Sequence, residues 1–232
     1  MIFSNRVIKK RIKEFLYSLL PYSLQQNIVK SKCGFNEQAE LLRDSQIAIY
    51  PPSLDFKKIV DTELDRTVAF LPYCAKPMGN TECPAADPVY KRKNQKCIKL
   101  SVGECNVPCS LGKMVDVLLK YGYTRDRIFI IDRDSNLFPW LKQKKEEGYK
   151  YFFPGVGCYY GVGYALDYIE KELGYTGCII FLDDYYKEDK KNGVCRGISD
   201  YMSMEKADKG KRTKIIDDSI QIMDNILGGK YP

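Results

Sequence analysis

Between Leu71 and Cys109 the chain reads LPYCAKPMGNTECPAADPVYKRKNQKCIKLSVGECNVPC and carries five of its nine cysteines, Cys74, Cys83, Cys97, Cys105 and Cys109. They are set among prolines, glycines and lysines, a composition that neither helix nor strand favours. A loop of that length inside a folded chain needs something other than apolar packing to hold it. The N-terminal FLYSLL is too short for a secretory h-region, follows a cluster of charges and ends at Pro21, so the thiols are expected in the reducing cytoplasm. There, clustered cysteines point to metal or catalysis before disulfides. The chain contains no histidine. That removes the usual zinc-hydrolase sites, the Cys–His and Ser–His–Asp nucleophile systems and the ordinary haem ligand, and leaves cysteine to supply most ligands of any metal.

At 232 residues, 44% hydrophobic and 29% charged, the sequence suits one α/β core, with or without a small appended module. The net charge of +7 suggests nucleic acid until it is located. Arg6, Lys9, Lys10, Arg11, Lys13, Lys30 and Lys32 face a single acid, Glu14, in residues 1–32, and the rest of the chain is close to neutral. A nucleic-acid-binding body is therefore not expected. Ile8, Ile12, Phe15, Leu16, Leu19 and Leu20 recur at helical spacing, so residues 1–50 read as a basic amphipathic helical arm. Its apolar face either covers the core or, through residues 1–32, meets a protein partner or an anionic membrane surface. No stretch is long enough to span a membrane.

A second helix is expected over about Ser23–Asp44, and QIAIY before Pro51-Pro52 reads as a short strand. Residues 51–232 then form a cysteine-rich α/β domain with its metal-binding loop at 71–109. TVAFL, RIFII, YKYFF and GCIIFL read as buried strands, separated by helical spacing over Ser110–Tyr121, Phe138–Glu147 and Tyr159–Leu173. Such alternation predicts a mostly parallel sheet with helices on both faces. The charged segment from Tyr185 to Lys214 reads as an exposed excursion before a last helix, about Thr213–Leu227. Cys33 and Cys195 read as bystanders, and Cys178 as a small hydrophobe in a buried strand.

In an open parallel sheet, ligands bind beyond the carboxyl ends of the strands. Cys74, Asp132, Asp134, Cys158, Asp183 and Asp184 all fall there, and the cysteine loop starts on the same side. The four aspartates are candidate proton-handling or substrate-orienting groups, or helix caps. Cys158 ends Gly155-Val156-Gly157 and opens a helix, where backbone N–H groups favour a thiolate that is a ligand or a nucleophile. Gly155 and Gly157 are also candidates for a cofactor-binding turn. Gly155, Gly157 and Gly161 nevertheless give G-x-G-x-x-x-G, one residue longer than the dinucleotide fingerprint.

Cys105 and Cys109 form the only close pair in the loop. Zinc ribbons normally use two close pairs, whereas an iron–sulfur cluster accepts thiolates from whichever loops converge on it. The third cysteine that a radical-SAM motif would need is Gly112, and no thioredoxin pattern surrounds the pair. An iron–sulfur cluster, of the 4Fe-4S type, is thus the expected cofactor, with zinc as the alternative.

Pro72-Tyr73-Cys74, Glu82-Cys83-Pro84, the pair Cys105 and Cys109 before a helix, Gly122-Tyr123 leading into a strand, and Gly-Val-Gly-Cys158 together resemble an uncharacterised prokaryotic family, domain of unknown function 116. The resemblance runs from Thr67 to Asp184, about half the chain. It implies a cysteine-rich α/β domain with Cys74, Cys83, Cys97, Cys105, Cys109 and Cys158 as metal ligands, and no known reaction. The expected function is electron transfer or a redox-linked enzyme step with a redox partner protein. Its rivals are a zinc-stabilised interaction module without catalysis and a nucleotide-binding transferase using the glycine turn at 155–163. Localisation is expected to be cytoplasmic, with membrane contact only at the periphery.

Overall fold

A computed structural model describes residues 40–42, 47–77, 83–158, 162, 165, 166, 168–170, 172–182 and 217–230. Six strands form one sheet: β1 (Glu40–Leu42), β2 (Ile47–Tyr50), β3 (Thr67–Pro72), β4 (Ile128–Ile131), β5 (Tyr151–Gly157) and β6 (Thr176–Phe181). They lie in the order β1-β2-β6-β5-β3-β4. Strands β4, β3, β5 and β6 are parallel to their neighbours, and β2 and β1 continue the sheet antiparallel. The mostly parallel α/β architecture read from the alternation of elements is the one observed.

Period-two side-chain alternation divides the core into two layers. Ala69, Leu71, Ile128, Ile130, Phe153, Cys178 and Ile180 point to one face, Val68, Phe70, Phe129, Phe152, Ile179 and Phe181 to the other. On the first face lie α3 (Ser110–Lys120), whose Leu111, Met114, Val115 and Leu118 form one buried stripe, and α5 (Asp217–Leu227), with Ile222, Met223, Ile226 and Leu227. On the second lie α4 (Asp134–Glu146) and the helical residues between 162 and 170. Two short helices, α1 (Phe56–Lys58) and α2 (Ile98–Ser101), complete the described set. Crossover helices thus cover both faces, as the twist of a parallel sheet requires.

Four local expectations are corrected. The Ser23–Asp44 helix does not reach its predicted end, because Glu40–Leu42 pairs with Ile47–Tyr50 as a strand. For the same reason a boundary at residue 50 falls too late, since β1 and β2 belong to the sheet. Helix α4 begins at Asp134 rather than Phe138 and carries Pro139 inside it, with Asp134 in a first turn whose free N–H groups favour an acid. Finally, Gly155-Val156-Gly157 is not a turn. The strand runs through Pro154 to Gly157 by way of a bulge: Val68 faces Phe152 but Phe70 faces Gly155, and Gly177 faces Phe152 but Ile179 faces Gly155. The extra residue on β5 is what lets a proline, with no N–H to give, sit in a central strand.

At the amino end of the sheet, Arg127 locks β3 to its approach. Its Nε donates to the Thr67 carbonyl at 2.9 Å and its Nη2 to Thr67 Oγ1 at 3.0 Å. Tyr123, buried and held well above an ordinary phenol pKa by that burial, donates to the Phe153 carbonyl. No helix among the described residues is long and apolar enough to cross a membrane. The arm at 1–32, Cys33, the excursion from Tyr185 to Lys214 with Cys195, and Asp183 and Asp184 lie outside the described residues.

Candidate metal centre

Strand order reverses between β3 and β5: the chain goes from β3 outward to β4, then crosses back to β5 on the other side of β3. In doubly wound sheets the crevice opens at this point. Cys74, in the 3-10 turn Tyr73–Ala75, follows β3, and Cys158 follows β5. Both are half-buried, and both pack against the first-face core. Backbone N–H of Val162 donates to the Cys158 carbonyl at 3.0 Å, so Cys158 does open a helical turn.

The other four loop cysteines converge elsewhere. Cys83, Cys97, Cys105 and Cys109 line one cleft of about 330 Å³, its open mouth included, together with Lys76, Lys99, Pro77, Pro84, Ile98, Val107, Leu111 and Gly112. Each sulfur comes from a different local feature. Cys83 starts a turn closed by Ala86 N–H to its carbonyl at 2.8 Å, Cys97 caps α2, Cys105 lies in the link between α2 and α3, and Cys109 caps α3. At Cys109 the cap is made by sulfur, Gly112 N–H donating to Sγ at 3.1 Å. Burial raises the Cys109 thiol above its ordinary pKa, the Gly112 N–H works the other way, and charge on Cys97, Cys83 and Cys105 raises it again. Cys109 therefore lies within electrostatic reach of the other three. None of the seven described cysteines is in a disulfide.

Among the described residues, no group of three or more Cys, Asp or Glu side chains could hold a metal ion as it stands.

Lys76 is the positive counterpart. It is only 3% exposed, and its Nζ donates to the carbonyl and to Oδ1 of Asn94 at 2.7 and 2.8 Å. Burial lowers its pKa to about 8, against the opposing pull of Cys83, Cys97, Asp132 and Cys109. Asn94 in turn gathers the loop, its Nδ2 donating to the carbonyls of Ala85 at 3.0 Å and Lys91 at 2.8 Å. Arg92 donates to the carbonyl of Cys74 at 2.6 Å. Polar bonds thus help to give this loop its shape, beside the packing of Tyr73, Ala75 and Leu100 on the core. Lys76, Asn94 and Gly112 are site residues that the sequence analysis missed. Of the three only Gly112, three residues after a cysteine that opens a helix, left a legible signal.

A Cβ at Gly112 would lie 3.2 Å from Cys109 Sγ and 3.4 Å from Lys99 Cδ. Gly112→Ala would gain helix propensity of about 1 kcal/mol at most, yet it presses on a candidate ligand. We expect unchanged or slightly higher thermal stability of the apoprotein and metal affinity weakened about tenfold. Titration with metal beside a melting curve checks both halves; equal affinity in the two proteins would exclude Cys109 from the centre.

Asp132, 8% exposed, ends β4 and accepts from Gln95 Nε2 at 3.1 Å and from Asn136 Nδ2 at 2.9 and 3.0 Å. Burial pushes its carboxyl up, but these bonds and Arg133 more than reverse that, so its pKa lies below the ordinary value. The group therefore ties the cysteine loop to the sheet edge. A depressed folded pKa stabilises above the unfolded pKa of about 3.9, and that contribution fades as pH falls through the lower folded value. The stability gap between wild type and Asp132→Asn should accordingly be full at pH 6 and narrow steadily below about pH 4, a trend measured by urea unfolding; a pH-independent gap contradicts it. Asp134 lies in the first turn of α4.

Gly155 and Gly157 have packing partners that account for them. A Cβ at Gly155 would meet the Phe70 ring at 2.3 Å, and one at Gly157 would meet Val162 at 2.9 Å. Comparison of the chain with protein-family models, curated proteins and solved structures finds no match.

Proposed function

We propose that Cys83, Cys97, Cys105 and Cys109 hold an iron–sulfur cluster and that the protein transfers electrons in a reducing, cytoplasmic compartment. The observation that carries this is that four cysteines line one cleft together with a buried lysine. Four thiolates are the ligand set of a 4Fe-4S cluster, and Lys76 offsets part of their charge. We place the cluster before zinc because tetrahedral zinc at about 2.3 Å needs its sulfurs about 3.8 Å apart, a set that no group of described residues presents as it stands, whereas a cluster carries its own iron and sulfide between its ligands. Cys74 and Cys158, which the resemblance to domain of unknown function 116 adds to the set, stand at the switch point beside the cleft and are not needed for ligation.

The deciding experiment is anaerobic purification followed by a visible spectrum with iron, sulfide and zinc analysis. The cluster predicts a brown protein with a broad band near ~400 nm and iron matched by sulfide. A colourless protein holding about one zinc would instead support a zinc-stabilised interaction module.

A further inference from the structure

We infer that the outer shell of the cysteine loop is the docking surface for an acidic one-electron carrier protein of the iron–sulfur or flavin class. This inference rests on the cluster proposed above. The large hydrophobic residues exposed among those described are Val89 at 76%, Tyr90 at 58% and Val102 at 75%. All three lie on the loop that closes the cleft, Val89 and Tyr90 between Cys83 and Cys97, and Val102 between Cys97 and Cys105.

Positive charge lies beside Val89 and Tyr90. Lys91, Lys93 and Lys96 are exposed, Lys91 and Lys93 being bonded through their backbones to Asp87 and Tyr90, and Arg133 lies over the Tyr90 ring at 5.8 Å. The acid among them, Asp87, is already engaged, its Oδ1 accepting from the N–H groups of Val89 and Tyr90 at 2.8 and 3.0 Å. The Val89–Tyr90 turn is therefore an apolar tip in a cationic setting. Electron-transfer encounters are small interfaces, steered by complementary charge and released quickly. A nucleic acid would want a continuous basic stripe, and the valines offer its phosphates nothing. An acidic protein with a small apolar patch satisfies both features. With a cluster held by Cys83, Cys97, Cys105 and Cys109, the exchange would make and break no bond, the carrier giving up one electron and this protein taking it.

An acidic plant-type ferredoxin is a direct probe, used with the full-length protein. Binding is measured first, because it does not need the cluster. We expect affinity to fall at least about tenfold between low and physiological salt. Lys91→Glu/Lys96→Glu should weaken binding at low salt about tenfold or more, and Val89→Ser/Tyr90→Ser about fivefold. Neither variant should alter the visible spectrum or the reduction by dithionite. Ferredoxin that binds the variants as well as the wild type, or fails to bind the wild type, overturns the inference; so does tighter binding of a single-stranded oligonucleotide. Salt-dependent ferredoxin binding by a protein with no visible band would support the surface while refuting the cluster.

Discussion

Replacing Cys109 by serine is expected to lower the iron content of the anaerobically purified protein at least about tenfold and to bleach its visible band. The same loss is expected at Cys83, Cys97 and Cys105, because a cluster on three thiolates and a buried hydroxyl lacks a ligand on one corner. The informative contrast lies with the other two candidates. Cys74→Ser and Cys158→Ser should keep the chromophore, since their sulfurs sit at the ends of β3 and β5 and do not line the cleft. Cys178→Ser is a third kind of change. Cys178 is fully buried in β6, so its loss should leave metal untouched and cost about 1–3 kcal/mol of stability. Chromophore lost from Cys74→Ser or Cys158→Ser and retained in a cleft variant would move the centre to the switch point. Metal uptake should also release protons, because burial keeps Cys109 a thiol until a metal claims it.

The largest effect on folding is expected at Gly177. It faces Phe152 across the β5–β6 pair, just before the bulge. A Cβ there would stand 1.9 Å from the Phe152 carbonyl oxygen and 2.6 Å from its ring. The oxygen belongs to a central strand and cannot retreat without breaking the ladder. Gly177→Ala should therefore cost more than about 3 kcal/mol and lower Tm by about 10 °C, or leave the chain insoluble. Gly155→Ala should be milder, since the nearest atoms are a ring edge of Phe70 and a methyl of Ile179, both of which can turn aside. A Tm drop below about 3 °C for Gly177→Ala would mean that the bulge relaxes more freely than its register suggests.

Why some of this was legible in the sequence follows from range. TVAFL, RIFII and GCIIFL are runs whose burial on both faces shows locally, and α3 announces itself by Leu111, Met114, Val115 and Leu118. The bulge did not show. Pro154 after YKYFF looks like a stop, and only pairing with Phe70 and Ile179 makes Gly155 a strand residue. At the site, the five loop cysteines signalled a centre, but nothing in their spacing separates Cys74 from the four in the cleft. That separation depends on where Lys76 is buried and how Asn94 folds residues 85–96 around it, and both are long-range facts. Glu40–Leu42 was lost to a helical pattern because its partner, β2, is what makes it extended.

The antiparallel end of the sheet carries a lesson about assembly order. Ile47 pairs with Ile180, so β2, made early and able to pair at once with β1, must wait for nearly all of the parallel core before its seat in the main sheet exists. Four strands can dock in the sequence in which the ribosome delivers them, but β2 closes the sheet last, as a clasp. Until it does, β6 is an apolar edge open to other chains. A nascent protein stalled before Thr176 still has Ile47–Tyr50 without its seat, the kind of unpaired strand that makes a folding intermediate prone to aggregation.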